Sequence, residues 1–353
     1  MPRRKPKKKG PAKGAERDHA SEGDTEETAS ITSSHMSEPD SIEEATLNGQ
    51  DATVDETDAQ ELLEEKMRDN LDGTTQKSVQ GRRTCLENLR TAFTRKYLLD
   101  FVSDRKMTIS DCVERCLKKG KGEEQSLAAN LGVLLLIQLG AGDESEEAFK
   151  TLQPLLKVTL LDKTAAVKAR ASCAFALGVG CFLAAEEFEV VVDTMITLEQ
   201  IFSESYHKGD GTSPSHTANV TMLHCAALSS WTLLLSITPP SRVIQMVESH
   251  LPRLPDLLES EDVNLRIVAG EAIAMFYELA REDDEEFEGD DMDNLVLKLR
   301  DLATDSNKYR AKKDRRHQRS SFRDIIRTIE ENDAPYEIIK FGTEELELDS
   351  WVR

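Results

Sequence analysis

From about residue 60 onward, Leu, Ala, Glu and Lys recur at three- and four-residue spacing with few strand-like alternations. Apolar positions at that interval share one face of an α-helix. Pro and Gly punctuate the pattern rather than interrupt it. The pattern also repeats itself: Val79, Val167 and Val263 are each followed three residues later by Arg82, Arg170 and Arg266. Three further on stand small residues, Cys85, Cys173 and Ala269, and four beyond those the aliphatic Leu89, Leu177 and Ile273. The steps of 88 and 96 residues correspond to two units each of about 44 to 48, the period of armadillo and HEAT repeats. A degenerate copy falls at "EEQSLAANLGVLLLIQL" from Glu123, with Ala129 and Val133 in register and Ser126 in place of Arg. A more worn copy sits in "TANVTMLHCAALSSWTLLLSI", giving about five units. The expected fold is therefore all-α, an armadillo/HEAT-like helical-repeat solenoid over residues 59–305.

Small residues at one helix position let a neighbouring helix approach, and the aliphatic positions fill the seam between units, none of which buries its apolar face alone. The repeated Arg is expected to bond carbonyls or acids of a neighbouring unit, and Trp231, among Leu and Ile, to be core. "DCVERCLKKGKGEE" predicts a helix ending at Lys118 and Lys119 with a left-handed cap at Gly120. "SYHKGDGTSPSHT" reads as an exposed loop, and "TPPSRV" starts a helix after a turn.

Composition changes the picture at the amino terminus. The first fifteen residues carry seven Lys/Arg and no acid, and the stretch onward to Asp72 carries nineteen acids against three bases. With no apolar run to offset its ordering entropy, residues 1–58 are expected to form a disordered tail, basic then acidic. No apolar h-region follows the basic cluster, and no uninterrupted apolar run approaches the ~18 residues of a membrane span. "PRRKPKKK" is an import signal or a second polyanion contact. The six cysteines follow no paired-framework spacing and read as reduced core thiols. Cys112 and Cys116 are one helical turn apart, yet no ligand near them in sequence completes a metal set, so neither a metal nor a cofactor is expected. The seven histidines are scattered, and no HExxH, GxSxG or phosphate-loop spacing occurs. No enzyme and no small-molecule substrate are expected.

Charge layout carries the remaining signal. The chain holds 66 Asp+Glu against 45 Lys+Arg, a formal charge of -21, and nine acids lie between Glu282 and Asp293. About fifteen residues later, seven of the twelve residues from Lys308 to Arg319 are basic. Opposed blocks of this kind create a strong local field. Continued as an amphipathic helix over 306–330, the run places Arg316, Arg319, Arg323 and Arg327 on one side and Phe322, Ile325, Ile326 and Ile329 on the other. With Lys308, Arg310, Lys312, Lys313 and Arg315 ahead, these nine cations are the candidate nucleic-acid contacts, salt-sensitive and indifferent to sequence. A solvated helix partly neutralised by the acidic block is the plainer alternative. Few aromatics interleave, so structured RNA fits better than single-strand stacking. Residues 331–353 are expected to be irregular or hairpin-like.

Three blocks, "ERCLKKGKGEEQ" from Glu114, "DVNLRIVAGEAIAMFYELAR" from Asp262 and "LATDSNKYRAKKDRRHQRSSFRD" from Leu302, closely resemble the interferon-related developmental regulator family, most nearly its second paralogue. The resemblance runs from about residue 60 to the end. It implies an armadillo-like fold without enzymatic activity, and regulatory binding in cytoplasm and nucleus. Ribosome association that suppresses translation is one implied role. Transcriptional co-regulation with corepressor protein partners is the other, and neither implies a membrane. The family pattern continues past "ELDSWVR" into a further carboxy-terminal domain, so the chain is expected to be truncated before it.

Overall fold

The computed structural model of the chain describes residues 56–305 and 311–351, all within one compact unit, Val54–Arg353. The expectation of a disordered tail falls outside the described residues, except at its last few positions, where the first helix has begun. Among the described residues are α1 (Glu56–Gly73), α2 (Val79–Arg95), α3 (Leu99–Lys119), α4 (Glu123–Leu139), α5 (Asp143–Leu161) and α6 (Val167–Ala184). Then come α7 (Phe188–Phe202), α8 (Ala218–Leu235), α9 (Pro240–His250), α10 (Val263–Asp283), α11 (Met292–Thr304) and α12 (Lys312–Glu331). An antiparallel hairpin follows, β1 (Glu337–Phe341) pairing with β2 (Glu344–Leu348) so that Phe341 faces Glu344 across the turn.

The fold is the all-α helical-repeat solenoid that the periodicity predicts, and the three repeated valines are the first residues of α2, α6 and α10. The five helices α2, α4, α6, α8 and α10 begin at 79, 123, 167, 218 and 263. The one long step, from 167 to 218, contains the polar loop 206–217. With the start of α8 fixed at Ala218, the worn copy falls into register: Thr221 takes the Arg position, His224 the small one and Leu228 the aliphatic one.

Each even-numbered helix packs on the next, from α2 through to α12, forming one continuous layer. The odd-numbered helices form the second, each against its even partner. Six helix pairs result where five units were expected, because α11 and α12 complete a sixth pair instead of hanging from the end. Small residues set the approach within the even layer. A Cβ on Gly178 of α6 would meet Ser230 of α8, with the Ser230 Cα at 2.9 Å. Trp231, 1% exposed, packs edge-on to Phe202 at 5.7 Å and close to Phe276 at 5.8 Å.

The repeated arginines are structural, as their register suggested. Arg82 donates to the Gln76 and Lys77 carbonyls at 3.0 Å. It also grips both oxygens of Glu124 on α4, at 2.7 and 2.9 Å. Arg170 donates to the Leu160 carbonyl at 2.7 Å, and the buried Arg266 to the Ser260 carbonyl at 2.6 Å and to Gln318 of α12. Each therefore ties the start of its helix to the segment before it, and two reach onward to the next even helix. Where Ser126 replaces Arg, its hydroxyl pairs with Ser172 of α6 at 2.7 Å.

Local capping follows mostly the sequence. Ser78 and Asp262 accept from the first-turn N–H groups of α2 and α10, and α9 starts at Pro240 after the turn. Gly120 is a correction: its φ is -73, and the left-handed residue is Gly122, at φ +58. Glycine is required at 120 because a side chain there would meet the Cys116 carbonyl. Helices α6 and α8 are long and apolar enough to cross a bilayer by length and composition alone. Here 56% and 50% of their residues are buried within the fold.

Candidate nucleic-acid interface

Helix α12 is amphipathic because Phe322, Ile325 and Ile329 recur at helical spacing, and all three are buried in the layer. Gly270 of α10 admits them: a Cβ there would stand 2.6 Å from Ile325 Cδ1 and 3.0 Å from Phe322 Cε1. Ile326, expected on the same buried side, is only half-buried, because it lies at the margin next to Arg319. Gln318, 1% exposed, donates to the Leu302 carbonyl at 2.9 Å, joining α11. The far end is held too. Arg281 of α10 donates to the Thr328 and Ile329 carbonyls at 2.9 and 2.7 Å, satisfying acceptors that a helix end leaves open. Asn332 closes the helix in the left-handed conformation, φ 54. The Trp351 indole donates to Thr328 Oγ1 at 2.9 Å, while Ser350 and the Trp351 backbone bond Glu278.

The candidate cations separate into distinct environments. Lys308 and Arg310 lie outside the described residues. Lys312, Lys313, Arg316 and Arg323 are exposed, and Arg319 is half-buried with its Nε donating to the Arg315 carbonyl at 3.3 Å. Among the described residues, no carboxylate lies within ion-pair distance of Arg316, Arg319 or Arg323. Two candidates change meaning. Arg327 does not join an open stripe: it pairs with Asp324 at 3.4 Å and with Asp333 at 2.8 Å. Arg315 is half-buried and stands three residues after the first of its helix, in the register of Arg82, Arg170 and Arg266.

Counting from the first residue of each even helix locates the open stripe. Gly270, seven residues into α10, faces the following helix, and so does Gly178, eleven residues into α6. In α12 those two positions are Arg319 and Arg323, with Arg316 one turn earlier. The arginines thus occupy the edge on which a further helix of the layer would stack. At the start of α12, Ala311 provides no side-chain cap, and two lysines follow in the first turn. Cations at a helix N-terminus oppose the dipole by ~0.3–1 kcal/mol each, so they do not serve the helix itself. Unsatisfied N–H groups, Lys312, Lys313 and the arginine edge form one electropositive surface.

The sequence pattern of the interferon-related developmental regulator family matches residues 28–330. The chain belongs to that family. The match starts earlier than the likeness visible by eye and takes in nearly all of α12, so the basic helix is part of the family's common core. The rat protein interferon-related developmental regulator 1 is 47% identical over 334 residues, covering 93% of this chain and 73% of the relative. The mouse protein interferon-related developmental regulator 2 is 48% identical over 300 residues, 85% of this chain and 68% of the relative. These relatives bear the names of regulators, not of enzymes. Among solved structures, the crystal structure of an engineered protein aligns with a TM-score of 0.47 at 13% identity, over 74% of this chain and 98% of that one.

Elsewhere in this family member the reactive side chains are packed away. Burial pushes the thiols of Cys173 and Cys225 up to about 12 and that of Cys181 up to about 11. The Cys112 thiol, hydrogen-bonded by Cys116 and touching Thr74 Oγ1 at 3.3 Å, is drawn down. Among the described residues, no group of three or more His, Cys, Asp or Glu side chains converges in a metal-holding arrangement. His224 is 1% exposed, bonded to Ser205 at 2.6 Å, with burial lowering its pKa to about 4.

Proposed function

We propose that this chain is a non-enzymatic regulatory binding protein that grips the phosphate backbone of structured RNA, at a ribosomal surface, and thereby lowers translation during differentiation. One observation carries the reading: Arg316, Arg319 and Arg323 line the terminal edge of the stack without acid partners among the described residues, on a rigid helix pinned by Phe322, Ile325 and Ile329. Fixed guanidinium groups suit phosphate oxygens, and their contacts position a ligand without reading its bases. The test is co-sedimentation with ribosomes over a salt series, comparing wild type with the triple variant Arg316→Glu, Arg319→Glu, Arg323→Glu. Each lost phosphate contact lowers the slope of log K against log salt by roughly 0.7–0.9. The triple variant is expected to lose about 2 to 3 units of slope while keeping its helical content. Unchanged retention by a folded triple variant overturns the reading.

A second reading, a nuclear co-regulator scaffold for corepressor proteins, draws support from a different surface. Ile137 of α4, Phe175 and Phe182 of α6 and Met222 of α8 are large apolar side chains left exposed on three consecutive helices of the even layer. Clustered exposed apolar groups favour protein partners. Capture of corepressor proteins that resists salt and survives the arginine triple variant supports this reading over the first.

A further inference from the structure

The acidic run between Glu282 and Asp293 is not a freely solvated loop. Phe287 packs edge-on against Tyr277 with ring centroids 5.5 Å apart, its carbonyl accepts from Arg281 Nε at 3.3 Å, and its N–H donates to the Asp284 carbonyl at 2.8 Å. The Gly289 N–H meets the Tyr277 hydroxyl. These contacts draw the run over a cleft of about 480 Å³ between α9, the 3-10 segment Leu254–Glu259 and α11. Its floor is apolar: Val247, Leu251, Tyr277, Phe287 and Leu295. Its rim carries Glu248, Asp256, Glu288, Asp290 and Asp291. The rim's lysine, Lys298, is already engaged by Glu259 at 2.8 Å. Among the described residues, Glu248, Glu288, Asp290 and Asp291 have no basic partner.

An apolar floor within an acid rim selects its occupant. A polyanion is repelled, a neutral apolar group leaves the rim uncompensated, and a small cation gains nothing from the floor. We propose that this cleft docks a basic peptide segment of a partner protein, with one or two apolar side chains on the floor and Lys or Arg against the rim. This is the helix-in-groove or anchored-peptide mode, in which apolar anchors supply affinity and complementary charge supplies orientation and on-rate. The site is separate from the arginine edge of α12 and does not depend on RNA binding.

The probe is a fluorescein-labelled helical peptide with leucine at every third and fourth position and Lys or Arg elsewhere, titrated against the whole chain by fluorescence anisotropy. Two control peptides replace its leucines by alanine or its cations by Glu. The variant Glu288→Lys, Asp290→Lys, Asp291→Lys changes only exposed side chains, so folding is retained and checked by circular dichroism. Probe affinity is expected to fall about tenfold or more in this variant and with either control peptide. It is expected to stay unchanged in the Arg316, Arg319, Arg323 triple variant. Bound probe is expected to slow amide exchange at 247–257 and 287–295. Absence of probe binding overturns the proposal. Equal binding by the alanine control also ends it, by reducing the attraction to bulk charge, and so does protection confined to other helices.

Discussion

Replacing Gly178 by Ala tests the packing of the whole even layer at its tightest crossing. The added Cβ would press on Ser230 Cβ and lie 2.6 Å from Ser230 Oγ and 2.9 Å from Ser230 Cα. The last of these is backbone and cannot rotate away. Restoring ordinary contact to it alone opens the crossing by about 0.5 Å, a gap that already forfeits a quarter of the dispersion well for each facing atom pair. Overpacking of this kind costs about 1–3 kcal/mol or more, against a helix-propensity gain of ~1 kcal/mol for Gly to Ala. A backbone clash belongs at the upper end, so net destabilisation of about 2 kcal/mol is expected. At ~2–4 °C per kcal/mol, Tm drops by about 4–8 °C. Thermal unfolding by circular dichroism measures it, and amide exchange in α6 and α8 locates it, since repeat arrays open locally as well as globally. Adding Ser230→Gly removes the facing Cβ and should restore much of the loss. Adding Ser230→Ala should restore almost none, because the Cβ remains. Wild-type stability in Gly178→Ala, or equal rescue by the two second-site changes, refutes the reasoning.

Two further outcomes follow from single side chains. Arg281→Met removes two charge-assisted bonds to the last turn of α12, so about 2 kcal/mol of local stability should go. Faster amide exchange confined to residues near Thr328 and Ile329, with α2 to α6 unchanged, is the expected signature. His224 titrates at its ordinary value in the unfolded chain but near 4 when folded, because burial disfavours the charged ring. Between those values the unfolded chain binds a proton that the folded one excludes. The contribution is thus fully present above about pH 7 and is lost as pH falls toward 4. From pH 8 to pH 5 the loss is about 2 kcal/mol, measurable by urea unfolding. A His224→Gln variant should show a shallower decline over the same range.

Much of the solenoid was legible because its driving pattern is local: apolar positions at helical spacing, plus a small residue where helices cross. The pattern faded where another solution replaced the small residue. In α8 that position is His224, accommodated by burial and a bond to Ser205. In α12 it is Gln318, which reaches Leu302 and Arg266 through hydrogen bonds instead of allowing close approach. The sixth helix pair therefore read as an appendage. The candidate interface was legible as a stripe, but not the neutralisation of Arg327, because Asp333 reaches it only after the chain turns back at Asn332. The acid-rimmed cleft had no local signal at all. Val247 and Leu251 lie far along the chain from Glu288 and Asp291, and only the docking of Phe287 on Tyr277 brings the two sets together.

A stacked layer has two ends, and each is a template for more of the same. If the outer side of α12 bore small and aliphatic residues like those at the inner crossings, a second molecule could add there head to tail, and such non-closing contacts propagate into filaments. Three guanidinium groups on that face make the addition electrostatically unfavourable. The residues that point outward for a polyanion therefore also set the length of the assembly, keeping each molecule a finite segment rather than a link in a fibre.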